Sequence, residues 1–304
     1  MTSPERSDDA ARRGGVLVGR LGLITGAYGT LGAAIARRLR RDGADLLLVG
    51  RSPERLAELA KGLAAEHGGE GGLDLLAVDL AAGDAAGRVA AAVARLGRLD
   101  VLVNNAAIQG PIGPLWQNDW QAWQETIRID LLAPVALCRA LVGFLGRDKR
   151  GKIINISGGG ASGPRANFTA YGVAKTGLVR FTETFAEEVR ARNIDVNAMA
   201  PGALGSAMTE AILAAGPALS GQQEIAAARK AKAGEAQATL EKAAELCAWL
   251  ASPKSDGISG RLLAALWDPW ATLDKRATEL AGSDIYTLRR ILPKDRGKSW
   301  EPPE

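Results

Sequence analysis

Short unbroken apolar runs alternate along this chain with longer stretches in which apolar residues recur every three or four positions. "VGRLGLITG" opens the series. "LGAAIARRLRRDG" follows, with Ile35 and Leu39 one helical turn apart and arginines on the opposite face. "DLLLVG", "LDLLAVDL", "LDVLVNNA", "KIINIS", "IDVNAMA" and "GRLLAAL" repeat the strand-like pattern. Between them, "PERLAELAKGLAAE" begins on a proline, as helices often do. Further helices are predicted around Arg88 to Leu96, from about Trp120 to Leu145, from about Thr169 to Arg192, and over "TLEKAAELCAWLAS". Phe181, Phe185 and Val189 mark the apolar stripe near the end of the Thr169 helix. Strands that are apolar throughout, without hairpin signals, predict parallel pairing with both faces covered. The expectation is an α/β fold, one doubly wound parallel sheet over residues 16–266. Two appendages accompany it: an insertion at about 203–238, where "LAAGPALSGQQ" breaks any single helix, and a C-terminal extension over 267–304.

Composition narrows the picture. A chain of 304 residues with 47% hydrophobic and 24% charged residues is that of a soluble globular protein. The net charge of +4 is modest, and its basic residues are interleaved with acids, which argues against nucleic acid as a partner. Cys138 and Cys247 lie in apolar helical patterns without metal or redox spacing, and read as buried thiols of a reducing compartment. The single histidine, His67, falls in the loop-like "EHGGEGG", which argues against a metal site or histidine catalysis. No segment has the ~18 apolar residues of a membrane span, and residues 1–15 read as a disordered tail without a signal-peptide core. A cytoplasmic protein is expected.

The first chemistry lies in "LITGAYGTLG", a strand, a glycine turn and a helix start. Gly26, Gly29 and Gly32 leave room around Tyr28, Thr30 and Leu31 for phosphates to approach free N–H groups at a helix N-terminus. A tight turn alone would use glycines too. Placed after the first strand and before an amphipathic helix, they predict a dinucleotide site. An NAD-selective site usually has a carboxylate at the end of the second strand; here Gly50 and Arg51 stand there, so NADP(H) is favoured and NAD(H) remains possible. Asp79 and Leu80 close the third strand, where Asp79 is placed to accept from an adenine amino group, and Asn105, Ala106 and Ala107 close the fourth.

In "YGVAK", Tyr171 and Lys175 face the same way on a helix. A phenol is a poor acid near neutrality unless an ammonium beside it favours the phenolate. With "TGAYGTLG", Asp79, "NNAA", "INIS" and "NAMAPG", this pair resembles the short-chain dehydrogenase/reductase family over about residues 16 to 266. The resemblance implies a Rossmann fold, a nicotinamide cofactor and a small carbonyl or alcohol substrate. It implies proton exchange by Tyr171, a ribose-holding and tuning role for Lys175, and nicotinamide contacts from Pro201, Gly202 and Ser206. It also implies a mobile lid after Ala203 and a homo-oligomer, dimer or tetramer.

Three departures qualify it. The turn reads TG-x-x-G-x-x-G, whereas the common form would put its second glycine at Thr30. The family's active-site asparagine falls on Asp130. Its catalytic serine, thirteen residues before the tyrosine, falls on Gly158, and Ser157 is one residue early. Either the glycines let Ser157 or Ser162 turn toward the substrate, or a backbone N–H or water replaces the hydroxyl. The expected activity is an oxidoreductase acting on a secondary alcohol or ketone. A catalytically weak dinucleotide-binding sensor or assembly protein is the alternative, with epimerase or dehydratase chemistry a third, suggested by the glycine spacing. Trp267, Trp270, Tyr286 and Leu288 are expected to pack the extension onto the domain or a neighbouring subunit, with closure of the substrate pocket the lesser reading.

Overall fold

The structure, a computed structural model, describes residues 15–67, 69 and 72–300. The expected N-terminal tail, except Gly15, lies outside the described residues. Seven parallel strands form one sheet in the order β3-β2-β1-β4-β5-β6-β7. They are β1 (Leu21–Thr25), β2 (Asp45–Gly50), β3 (Leu73–Ala77), β4 (Val101–Asn104), β5 (Gly151–Ile156), β6 (Ile194–Ala200) and β7 (Leu262–Ala264). The strands are apolar throughout because both faces are covered. Within β1, Leu23 packs on one side and its neighbour Ile24 on the other, both fully buried.

The Ile24 side is covered by α1 (Thr30–Arg41), α2 (Pro53–His67) and α9 (Ala236–Ala251), through Ile35, Leu39, Leu56, Leu63, Leu246 and Leu250. The Leu23 side is covered by α3 (Ala85–Leu96), α5 (Ala133–Leu141) and α6 (Thr169–Glu188), through Val89, Val93, Leu137, Leu141 and Ala186. Each such aliphatic side chain contributes roughly 1.5–3 kcal/mol on burial, so the two layers fix the sheet between them. Cys138 and Cys247 are buried in these layers, and burial pushes both thiols up.

Three boundaries differ from expectation. His67 ends α2 rather than lying in a loop, with Glu66 as its neighbour in the same helix. The single long helix expected over Trp120–Leu145 is α4 (Trp120–Ile127), a π-helical turn over Arg128–Leu132, and α5, closed by a 3-10 turn at Val142–Phe144. The helix expected to reach Arg192 ends at Glu188, and a 3-10 turn leads to Asn193 in the left-handed region, φ 58°.

Between β6 and β7, α7 (Ala207–Ser220) and α8 (Gln222–Lys230) precede α9. Gly216, at φ 72°, kinks α7 just before Pro217, as the breaker pattern predicted. After β7 the extension turns back on the domain. Trp270 packs against Trp249 with ring centroids 6.1 Å apart and donates from Nε1 to the Ala265 carbonyl at 3.1 Å. Leu273 and Leu280, the latter on α10 (Ala277–Ala281), are buried. The Leu262 N–H donates to the Tyr286 carbonyl at 2.8 Å, and the Leu288 N–H to Glu183 at 2.6 Å. Arg261 reaches across to the carbonyls of Leu280, Ser283 and Ile285.

Candidate active site

The C-terminal ends of the strands open into a cleft of about 990 Å³. On one side lies the turn after β1. Gly26 takes φ 62°, a left-handed conformation suited to glycine. Gly29 caps α1, and a Cβ on Gly32 would overlap the Gly26 carbonyl oxygen. The β4 end braces this turn. Asn105 Nδ2 donates to the Thr25 carbonyl at 2.9 Å and to that of Gly26 at 3.2 Å. Thr25 Oγ1 accepts from the N–H groups of Asn105 and Ala106 at 2.9 and 3.0 Å. The first turn of α1 carries no acidic residue and no side-chain cap, so its N–H groups and dipole face the cleft uncompensated.

Tyr28 fills the space left by Gly50, where a Cβ would overlap its ring. Its hydroxyl accepts from the N–H groups of Arg51 and Ser52 at 3.1 and 3.2 Å. The Arg55 guanidinium lies 4.2 Å from its ring centroid. An aromatic platform and two arginines thus stand at the corner where an NAD-selective site would carry a carboxylate. Nothing in the sequence reading singled out Arg55, although its spacing of four from Arg51 across the helix start could have.

On the other side, α6 presents Tyr171 and Lys175, both buried. Lys175 Nζ donates to the Ile156 carbonyl at 3.1 Å, lies 3.4 Å from Asp130 Oδ2, and sits 5.5 Å from the Tyr171 ring centroid. Asp130 lies in the π-helical turn, whose extra residue re-aims a side chain in the middle of a helix. Its Oδ1 accepts from the Ile108 N–H at 2.8 Å. Burial pushes its carboxyl above the usual range, opposed by the Lys175 ammonium and that N–H. Burial also pushes the Tyr171 phenol up; Lys175 pulls it down, Asp130 pushes it up, and Arg165 pulls it down.

The glycine turn after β5 does not bring a serine hydroxyl to Tyr171. Ser157 Oγ is buried without a hydrogen-bond partner, and Ser162 is exposed. A Cβ on Gly158 would overlap the Tyr171 hydroxyl, so the place of the expected serine is where the phenol rests.

The cleft gathers most of the residues singled out from the sequence. Gly26, Tyr28, Gly29, Thr30, Leu31, Gly32, Arg51, Asp79, Leu80, Asn105, Ala106, Ala107, Ser157, Tyr171, Lys175, Pro201, Gly202 and Ser206 all line it. Asp130 does not, and reaches the cleft through Lys175 and the Ile108 N–H, both of which line it. Arg55, Gln109, Arg165 and Glu224 also line the cleft without having been foreseen. Trp267, 74% exposed, stands at its edge while Trp270 packs inward. Among the described residues, no group of three or more His, Cys, Asp or Glu could hold a metal, and no helix is long and apolar enough to cross a membrane.

Comparison with known proteins agrees with this architecture. The family model described as short chain dehydrogenase matches residues 21–216. Human "Dehydrogenase/reductase SDR family member 4" is 33% identical over 189 residues, covering 61% of this chain and 66%, just under two thirds, of that protein. "Short chain dehydrogenase/reductase astE" of Aspergillus oryzae is 30% identical over 255 residues, covering 82% of this chain and 94% of that one. A short chain dehydrogenase from Shigella flexneri, solved in complex with NADP, superposes with a TM-score of 0.70 at 25% identity, over 82% of this chain and 98% of that one. A short chain dehydrogenase from Escherichia coli CFT073, complexed with NADPH, gives 0.70 at 25% identity, over 83% and 98%.

Proposed function

Because the chain belongs to the short-chain dehydrogenase/reductase family of oxidoreductases, we propose that it interconverts a secondary alcohol and a ketone with an NADP(H) cofactor. The observation that carries this reading is the meeting of Tyr171 and Lys175 in the same cleft as the Gly26–Gly32 turn. A bound nicotinamide supplies or accepts the hydride. Tyr171 exchanges a proton at its phenol oxygen with the substrate oxygen. Lys175, held by the Ile156 carbonyl and Asp130, keeps a positive charge beside the phenol and favours phenolate.

The chain's own residues fit such a cofactor. A Cβ at Gly26 or Gly32 would collide with backbone of Ala106 or of the turn itself, so the tight turn that would present its N–H groups to a pyrophosphate requires glycine there. Arg51 and Arg55 offer cations where a 2′-phosphate would lie, and Gly50 offers no carboxylate to the ribose. NADP in the Shigella structure supports the same choice. Of the residues lining the cleft, Asp79 and Leu80 would hold the adenine, Asn105 to Ala107 the middle of the nucleotide, and Pro201, Gly202 and Ser206 the nicotinamide. The α7–α8 segment covers the substrate. Trp120, Leu132 and Val173, all exposed on the α4–α6 side, support a homo-oligomeric assembly through that face.

Gly158 in the serine position favours a second reading, a weak nucleotide-binding protein. Stoichiometric NADPH oxidation with a carbonyl panel separates the two. Tyr171→Phe is expected to lower kcat/KM about a thousandfold while NADPH affinity changes only a few-fold. Micromolar NADPH binding with no turnover on any carbonyl, and no effect of Tyr171→Phe, would leave only the second reading.

A further inference from the structure

The strip from Gly158 to Gly160 serves two side chains. Over Gly158 rests the Tyr171 hydroxyl. Over its neighbours lies Arg165: a Cβ on Gly159 would come within 4.0 Å of its Cδ and Nε, and one on Gly160 within 3.3 Å of its Cβ. A phenol and a guanidinium are thus neighbours on one wall of the cleft. The Arg165 guanidinium lies 3.8 Å from the Phe168 ring centroid and 5.9 Å from that of Tyr171.

A carboxylate already sits on this guanidinium. Arg165 Nε and Nη2 donate to the two oxygens of Glu224, on α8, at 2.7 and 2.6 Å. Such a two-pronged fit is the geometry by which arginine recognises any carboxylate. Both side chains face the cleft rather than bulk solvent, at 14% and 29% exposure. Two further groups on the cleft wall lack partners. Gln109 is 9% exposed with Nε2 unpaired, and Ser157 is 2% exposed with Oγ unpaired. Buried polar groups without partners are uncommon, and two donors in one cleft call for acceptor oxygens from a ligand.

We propose that Arg165 is the anchor for a substrate carboxylate, with Glu224 holding its place until substrate arrives. The substrate is then an oxo acid, or the corresponding hydroxy acid, with its carboxylate within a few carbons of the carbon that reacts at Tyr171. The proposal rests on the assignment of Tyr171 as the proton-exchanging group. Exchange of one carboxylate for another leaves the guanidinium paired throughout, which avoids the cost of a buried lone charge.

The test compares acetoacetate and levulinate with their methyl esters as substrates for NADPH oxidation by the full-length protein. Wild type is expected to favour the acids. In Arg165→Met, the preference for acid over ester, a ratio in which general damage cancels, is expected to fall about a hundredfold. Glu224→Gln, which removes the internal competitor, is expected to lower KM for the acids, and it serves where Arg165→Met folds poorly. In parallel, acetoacetate is expected to raise the Tm of the wild type loaded with NADP, a pair that cannot react, and not that of Arg165→Met. A wild type that does not prefer acids, equal losses for acid and ester in Arg165→Met, or a higher KM for acids in Glu224→Gln would each overturn the anchor and leave Arg165–Glu224 as a structural latch. Acid-specific stabilisation without turnover of any of the four probes would keep the anchor and sink the reductase assignment instead.

Discussion

Two glycine turns face each other across the cleft, and they are glycine-rich for different reasons. After β1, side chains are excluded by backbone: a Cβ on Gly26 would lie 2.9 Å from Ala106 Cα, and one on Gly32 would overlap the Gly26 carbonyl. After β5, the block at Gly158 comes from a side chain, the Tyr171 hydroxyl, while Gly160 sits at φ 92° with Arg165 close by. Backbone cannot yield without moving a strand end, whereas the tip of a side chain can turn aside. The first turn is therefore a fixed cradle, and the second is a seat whose occupants define the reacting centre.

Substitution at Gly158 breaks this contrast most directly. Gly158 has no left-handed backbone to lose, so Gly158→Ala is expected to keep the Tm within a few degrees while the displaced phenol lowers kcat about a hundredfold. Unchanged turnover would mean that the phenol does not work from this seat. Gly32→Ala is expected to do the reverse, costing about 1–3 kcal/mol of stability and weakening NADPH binding, read by thermal melts and by titration of cofactor fluorescence. A variant with intact stability and affinity would show that the cradle is looser than its contacts imply. Arg51→Glu is expected to raise the KM for NADPH roughly tenfold or more, with a much smaller effect on NADH; equal effects on both would remove the phosphate assignment. The smallest effect belongs to Asp130→Asn. Asp130 pushes the Tyr171 phenol up, so its neutralisation lowers that pKa. The limb of alcohol oxidation that needs phenolate should then appear at lower pH in a pH–rate profile, and a shift upward or none would uncouple Asp130 from the pair.

The cofactor side of this contrast was the more legible one. Its strands are unbroken apolar runs, and its glycines, Arg51 and Asp79 fall at strand ends that the run lengths locate. Tyr171 and Lys175 were legible because both lie within one helix. The absence of a serine at position 158 could be read, but its meaning could not, because the phenol that rests there is delivered by packing of α6 on the sheet. Arg165 stayed hidden for a related reason. It is one charged residue in a loop, and its partner Glu224 lies 59 residues away on a segment whose placement no periodicity predicts. The π-helical turn left no trace either, since the apolar spacing from Trp120 onward is that of an ordinary helix.

The hydrogen bond from Leu262 to Tyr286 has a consequence beyond the packing of a tail. β7 ends the sheet, and an open sheet edge is a template for any passing strand. Here the chain caps its own edge, and Arg261 ties the cap down through three carbonyls. Protection of this border is thus set by residues remote from the chemistry.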